Sequence, residues 1–385
     1  MWHVNKKNMR TRLVILILCF SMRLICQTTF EKRFGNSFDD YGCNAIETKD
    51  GIILLGNSVK NGIVVIKTDK LGNTLWEKFY NNENRNIAAY IKETTKKDLL
   101  IVGFSGFSDA NLIKLNQFGD TIFTQTYLTE ANDLGSYVIE IEDNDFLIIG
   151  QTIQPKHSPF LIRTDKDGKA KMFKSNLING NYDCKWIEKS SDNNFIVLFE
   201  APQYAGPNHP GTNLLLAKIN ILGDTIWTCK IVNSWQFQAN NFVTTNDNSL
   251  LICGTSINDQ NIFSTFLVKV TMNGKLEWMK SFPETGNTDG KFICKTRDNA
   301  YVFVSETWRH VDSKAMDYKD LIITKVDTDG NIIWKNNIEA KGYIMGNSIQ
   351  ETSDNGFLIG GAINDNDDKH NQILLLKIDK FGKIK

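Results

Sequence analysis

The residues best equipped for chemistry in this chain are a few histidines and a scatter of carboxylates. His157, His209, His310 and His370 all fall in polar stretches between apolar segments. Histidine is a frequent zinc ligand and proton carrier. These four belong to different copies of the repeat described below and are expected far apart, so no metal site is assigned. Asn364-Asp365-Asn366-Asp367-Asp368 offers oxygen ligands. It lacks the Gly and terminal Glu of a standard calcium loop and reads as a solvated acidic loop. Carboxylates such as Asp40 and Asp289 could supply the acid and base of a glycosidase if they converge. G-x-S-x-G, H-E-x-x-H, the phosphate-binding loop and the dinucleotide fingerprint are all missing from the sequence. No catalytic residue, metal or cofactor is therefore assigned.

The elements that must position these residues come from an internal repeat. The motif basic-x-[Asp/Asn/Thr]-x-x-Gly-x-x-x-bulky centres on Gly72, Gly119, Gly168, Gly223, Gly274, Gly330 and Gly382, spaced by 47 to 56 residues. Four residues after the first six glycines come Trp76, Phe123, Met172, Trp227, Trp278 and Trp334. Asp or Asn followed three residues later by Gly favours a tight turn between strands; Thr271 is the exception among the seven. A second motif, a polar turn then an apolar burst ("KDGIILLG", "DNDFLIIG", "SDNGFLIGG"), also occurs seven times. Such bursts read as strands buried on both faces. Each repeat thus holds four short strands: a weak first, two apolar, and an alternating last that carries the Trp. No convincing helix is expected after residue 26. Seven four-stranded antiparallel units of about 50 residues predict an all-β, seven-bladed β-propeller. The seventh copy stops at "GKIK", before its outer strand. Phe30-Glu-Lys-Arg-Phe34 matches Trp76-Glu-Lys-Phe79, so residues 28–34 are expected to pair with 373–379 and close the ring.

"FEKRFGNSFDDYGCNAIETKDGIILLGNS" and "IKTDKLGNTLWEKF" resemble the repeat of secreted bacterial propeller proteins of mostly unassigned function. The D-x-x-G-x-x-x-W element is also similar to the tryptophan-docking repeat of quinoprotein-like propellers. That group includes quinone-dependent dehydrogenases, which carry adjacent cysteines by the cofactor; no Cys-Cys pair occurs here. It also includes an outer-membrane assembly lipoprotein, so a structural or assembly role in the cell envelope is implied as an alternative.

The chain has 385 residues. Lys6, Lys7, Arg10 and Arg12 precede the apolar run Leu13–Phe20, the pattern of a secretory signal. The run is too short for a membrane-spanning helix. Residues 1–26 are read as a signal peptide and 27–385 as one propeller domain; lipidation at Cys26 is the alternative. Removing 1–26 takes away five basic residues and no acidic one, so 44 of each sign become 39 and 44, a net of −5. Nucleic-acid binding is not expected of such a chain. Cys43, Cys184, Cys229, Cys253 and Cys294 remain and read as small buried hydrophobes.

Features present in all seven units are architecture; features present once are candidates for function. Lys67, Lys114, Arg163, Lys218, Lys269, Lys325 and Lys377, one per unit, read as a solvated or inter-blade ion-pair position. Both variable loops of each unit emerge on one face, where binding is expected. The channel rim there carries Asp40, Tyr41, Arg85, Asp133, Tyr182, Trp235, Asp289 and Tyr343. Outer loops are expected at 202–213, 307–319 and 363–371, with Trp308, Arg309 and His310 as perimeter contacts. The reading is an exported, monomeric, non-catalytic propeller that binds protein or glycan. A polysaccharide-active enzyme with carboxylates at the rim is the alternative.

Overall fold

A computed structural model describes residues 27–35, 38–80, 86–106, 109–127, 132–153, 157–201, 214–231, 236–258, 260–284, 286–310, 317–365 and 370–384, with backbone alone for 309–310 and 317–318. The signal-peptide segment, Arg85, Trp235, His209 and the 202–213 loop lie outside the described residues, as do the side chains of Arg309 and His310. Among the described residues no helix is long and apolar enough to cross a membrane.

Strands Asp40–Thr48, Gly51–Ser58, Gly62–Thr68 and Thr74–Tyr80 lie side by side in chain order. The second and third come from the apolar bursts, and Ile52 to Leu55 and Ile63 to Ile66 are buried on both sides. The fourth, TLWEKFY, alternates exposed and half-buried residues, as an edge strand should. Four more antiparallel sheets, over 87–127, 133–174, 183–231 and 236–282, repeat this order. The remaining strands form an eight-stranded mixed sheet. It consists of two antiparallel quartets, 288–338 and 343–378 with Phe30–Phe34, joined by one parallel bridge at Lys319 and Tyr343. The first strand of each quartet packs across the preceding quartet, and Asp40–Thr48 packs across the last one. The architecture is all-β and propeller-like. Phe30 to Phe34 pair in register with Lys377 to Ile373, so the expected junction of the two tails is present.

The bulky residue of each outer strand explains the recurring glycine. A Cβ at Gly119 would sit 2.8 Å from the Trp76 ring, at Gly330 2.8 Å from Trp278, at Gly382 2.6 Å from Trp334 and at Gly72 2.7 Å from Phe30. Each ring docks on the turn of the next quartet, and Phe30 does so where the last quartet meets the first. These glycines also hold φ between +74° and +82°, a region that disfavours residues with a Cβ. Two needs, backbone conformation and space for a ring, thus fix one residue type. Two glycines depart from the pattern: Gly223 meets Lys174, Leu161 and Leu177 in place of Met172, and Gly274 meets Cys229 at 2.6 Å, with the Trp227 ring at 3.7 Å.

The seven glycine turns lie on one face; Asn258 builds a similar turn on the other, its Oδ1 accepting the N–H groups of Gln260 and Ile262. Asp69 Oδ1 accepts the N–H groups of Leu71 and Asn73 at 2.8 and 2.9 Å; Asn116, Asp165, Asn220, Asp327 and Asp379 do the same in their turns. Thr271 closes its turn through Oγ1, which accepts the N–H of Lys275 at 3.0 Å. The repeated basic residue is not inter-blade, and in five of the seven units it is buried rather than solvated. In every unit it pairs with the aspartate of the turn between the first two strands of its own sheet. The pairs include Lys67–Asp50 (2.8 Å), Arg163–Asp145 (3.0 Å), Lys325–Asp298 (2.6 Å) and Lys377–Asp354 (2.9 Å); Lys114, Lys218 and Lys269 pair likewise with Asp98, Asp192 and Asp247. The hydrogen bond from Lys67 holds the Asp50 carboxyl below its ordinary range.

Variable connections occupy the opposite face. The loop expected at 307–319 is strand at both ends: Tyr301–His310 and Asp317–Val326 continue their ladder through Trp308–Lys319 out to His310–Asp317, and 311–316 lie outside the described residues. All five described cysteines are free, and Cys184 and Cys253 are buried.

Candidate functional site on the loop-bearing face

The inner strand of every quartet starts on the loop-bearing face and bulges once near its start. The bulged residues are Cys43, Ala89, Ser136, Lys185, Asn240, Lys291 and Asn347. A bulge re-aims a side chain and is a recurrent device beside binding sites. In two quartets the bulged residue is Lys, an Asp stands two residues before it, and a Glu faces that Asp across the ladder. These are Asp183, Lys185 and Glu200, and Asp289, Lys291 and Glu306. The same facing positions elsewhere hold Tyr41 and Asn57, Leu134 and Gln151, Gln238 and Thr255, or Met345 and Ala362.

In the 288–338 quartet, Glu306 is 0% exposed. Its Oε2 lies 3.2 Å from Lys319 Nζ and 3.7 Å from Lys291 Nζ. Lys291 also binds Asp289, whose other oxygen accepts the Thr255 hydroxyl at 2.5 Å. Lys319 Nζ stands 4.1 Å above the Trp308 ring, a cation–π arrangement. Burial pushes the Glu306 carboxyl up, against the pull of Lys291 and Lys319. Burial also opposes the charge on Lys291, but Glu306 and Asp289 raise it overall. Among the described residues Glu306 Oε1 has no hydrogen-bond partner. Two carboxylates and two ammonium groups balance in charge, with an aromatic face beside them and a buried acceptor in reserve. Such a site suits a ligand rich in hydroxyl or amide groups.

In the 183–231 quartet, Glu200 is 5% exposed. It accepts the Ala239 N–H at 2.9 Å and lies 3.6 Å from Lys185. Burial pushes its carboxyl up to about 7, with Lys185 and the Ala239 N–H acting the other way. His157 Nδ1 and Asp183 Oδ1 are 2.6 Å apart.

Asp289, expected on the rim, and Trp308, expected at the perimeter, fall together in the first cluster. Tyr182 lies beside the second; its N–H bonds His157 O at 3.3 Å and its ring packs on Phe199. Tyr41 and Tyr343 meet through Asn371, which donates to the Tyr41 hydroxyl at 2.5 Å and bonds the Tyr343 hydroxyl through its carbonyl oxygen. Asp40 is buried next to them, with its N–H on Asn371 O at 2.9 Å. These three residues sew the last quartet to the first. Asp133 is fully buried and accepts the Thr152 hydroxyl at 2.5 Å. Lys185, Glu200, Lys291, Glu306 and Lys319 were not expected. The signal was present: "DCK" and "DGK", each followed by an apolar strand ending in Glu, "VLFE" and "FVSE".

Deeper in, aromatic rings from several inner strands meet. Tyr90 and Tyr137 have centroids 4.0 Å apart, Tyr137 and Trp186 4.0 Å, and Trp186 and Phe292 5.1 Å. Tyr90, Trp186 and Phe292 line a cavity of about 360 Å³ together with Asn44, Lys92, Asn241 and Ser348. Among the described residues no group of three or more His, Cys, Asp or Glu could hold a metal ion.

No family model and no curated protein matches this chain. Its likeness is to solved structures. A polysaccharide lyase of family PL25, an ulvan lyase bound to -[GlcA(1-4)Rha3S]-, superposes with a TM-score of 0.56 at 10% identity, over 92% of this chain and 97% of that one. YCF48 bound to a D1 peptide gives 0.54 at 10% identity, over 92% and 96%. Drosophila plexin A in complex with semaphorin 1b gives 0.52 at 9% identity, over 92% and 88%. The shared feature is a β-propeller-like fold. At such identities the likeness carries no activity across.

Proposed function

We propose that this chain is an exported, closed propeller of seven blades that binds a protein or glycan through its loop-bearing face without transforming it. The two halves of the eight-stranded sheet count as separate blades, since each has the four-strand order of the others and only Lys319–Tyr343 joins them. The ligand-facing group is Asp289, Lys291, Glu306, Lys319 and Trp308. One observation carries this reading: the polar departures from the repeat fall on the variable face, while the other face repeats the same turn and ion pair in every sheet. The resemblance to secreted propellers and the basic, apolar start of the chain support export. The test is a binding screen on surface glycans and envelope proteins, with Trp308→Ala and Lys319→Met as controls. Capture of a ligand by the wild type with loss of at least about tenfold in either variant is expected. A ligand bound equally well by both variants would place the site elsewhere.

A second reading has its own support. Asp289 and Glu306 contact one ammonium group, so their carboxyls lie within roughly 6 Å of each other. That is near the separation of a nucleophile and acid in retaining glycosidases. Cleavage of any polysaccharide by the wild type, abolished in Glu306→Gln with binding retained, would favour an enzyme over a binding protein.

A further inference from the structure

A second candidate lies between the inner strands, on the far side of the bulges from the loop-bearing face. Six of the seven quartets line the cavity of about 360 Å³ there, and every lining residue stands one to four positions past the bulge of its strand. Glu47, Glu93 and Lys295, at the fourth position, are half-buried, so the cavity opens toward the turn-bearing face. None of Asp289, Lys291, Glu306, Lys319 and Trp308 lines it. The volume is that of a small-molecule pocket.

Two polar groups in it do no work for the repeat. At the first position past the bulge, a polar side chain elsewhere ties its strand to the next one. Asn241 Nδ2 donates to Ile293 O at 2.9 Å, and its Oδ1 accepts the Ile293 N–H at 3.0 Å. Ser348 Oγ accepts the Ala45 N–H at 3.1 Å. Asn44 holds the same position and is 4% exposed, yet among the described residues its Oδ1 has no partner. Buried acceptors are almost always paired, so this one points to a donor from outside the chain.

Lys92 is the one cation at the third position past the bulge; its equivalents are Ile46, Ile139, Glu188, Val243, Cys294 and Gln350. Among the described residues its ammonium group has no hydrogen bond and no ion pair. Burial pulls its pKa below the ordinary lysine value, with Glu188 and Glu140 acting the other way from a distance. Those two carboxylates bond across the sheets instead. Glu188 accepts the N–H and hydroxyl of Thr244 at 3.2 and 2.8 Å, and Glu140 those of Thr95 at 2.7 and 3.0 Å. The lining itself carries Lys92 and Lys295 against Glu47 and Glu93. It is balanced in charge, so a zwitterion fits it better than a plain anion. A carboxylate needs donors, which Lys92 has, and an ammonium group needs an acceptor, which Asn44 Oδ1 offers. Asn44 and Lys92 stand on neighbouring inner strands, and Tyr90, Trp186 and Phe292 add an apolar wall.

We propose that this cavity binds a free amino acid with an apolar or aromatic side chain. Lys92 Nζ takes the carboxylate, Asn44 Oδ1 accepts from the ammonium group, and Tyr90, Trp186 and Phe292 hold the side chain. The proposal does not rest on the loop-face site. The test screens the full chain against the standard amino acids at about 10 mM, where mass action reveals millimolar binding as a rise in Tm, and follows the hits by calorimetry. An aromatic or branched amino acid is expected to bind, and its amide, which has no carboxylate, is not. Lys92→Met keeps the chain length, should leave the far-ultraviolet circular dichroism unchanged, and should weaken the hit at least about tenfold. Asn44→Leu should weaken phenylalanine more than phenylpropionate, which has no ammonium group. Trp308→Ala should leave both unchanged. No shift with any amino acid means a cavity filled by water and overturns the proposal. So does binding undiminished in a folded Lys92→Met, an amide bound as tightly as the acid, or loss of the hit in Trp308→Ala, which would move it to the loop-bearing face. Should Lys92→Met fail to fold, the comparison of acid and amide on the wild type still decides.

Discussion

The two Asp–Lys–Glu clusters occupy the same place in two sheets and differ in what surrounds them. Around Glu306 the hairpin of 301–326 runs on past the usual end of the ladder, and that extension delivers Lys319 and Trp308. Around Glu200 the described ladder runs to the Glu200–Leu214 pair, and 202–213 lie outside the described residues. Among the described residues the carboxylate has a single lysine and a backbone N–H from the next sheet. One repeat position thus sits in two surroundings. Burial pushes both carboxyls up, Glu200 to about 7, and Glu306 has two ammonium groups pulling the other way. The lesson is that the second apolar strand sets where the carboxylate sits, while the extended hairpin brings Lys319 and Trp308 to Glu306.

Removing the cations should separate the clusters most sharply. Lys291→Met with Lys319→Met leaves Glu306 buried beside Asp289 without a counter-charge. Loss of both partners from a buried carboxylate costs about 3–5 kcal/mol. Lys185→Met should cost less than about half as much, because Glu200 keeps the Ala239 N–H and can protonate. Urea unfolding at pH 8 measures both. Equal losses would mean that the hairpin extension contributes nothing to the charge state of Glu306.

A smaller effect should appear in the pH dependence. The Glu200 carboxyl titrates near 7 in the fold and near 4.5 when unfolded. The native state therefore binds the extra proton between those values, and its stabilising contribution is complete below about 4.5 and is lost as pH rises through about 7. The loss is on the order of 1–3 kcal/mol. Glu200→Gln should flatten that part of the stability profile and raise stability at pH 8. A variant whose profile still falls from pH 5 to 8 as steeply as the wild type would assign the titration to another group.

Much of the fold was legible because its causes are local. Asp or Asn three residues before Gly makes its own turn, and an apolar burst between two turns needs a partner on both faces. The match of Phe30 to Trp76 was legible for the same reason, since a docked ring requires the glycine opposite it. The partner of each repeated lysine was harder to see. Asp50 and its counterparts recur as regularly as the lysines, but they stand in polar turns and look like turn residues alone. The candidate site was legible only in part. Asp289 could be picked from the rim and Trp308 from the perimeter, yet Lys291 joins them through a bulge, and a bulge leaves no mark in an alternating pattern. Lys319 joins through a hairpin expected to be a loop. Tyr41 and Tyr343 read as rim residues in the sequence, and in the structure they also meet through Asn371 at the seam of the last and first quartets.

The smallest effect tests the role of Trp308. Its ring is half-buried and lies under Lys319, and among the described residues the Glu200 cluster has no such ring above its lysine. If Trp308 serves ligand contact, Trp308→Ala should cost only about 0.5–1 kcal/mol of stability, the scale of one exposed cation–π pair, while ligand capture falls far more. The backbone of the hairpin should stay in place, because the Trp308 N–H bonds Asn287 O at 2.9 Å through the main chain. A loss of about 3 kcal/mol or more would instead mark the indole as a packing anchor for the extended hairpin. The contrast between the clusters would then be one of folding, and Lys319 would be placed over Glu306 by the core rather than held ready for a ligand.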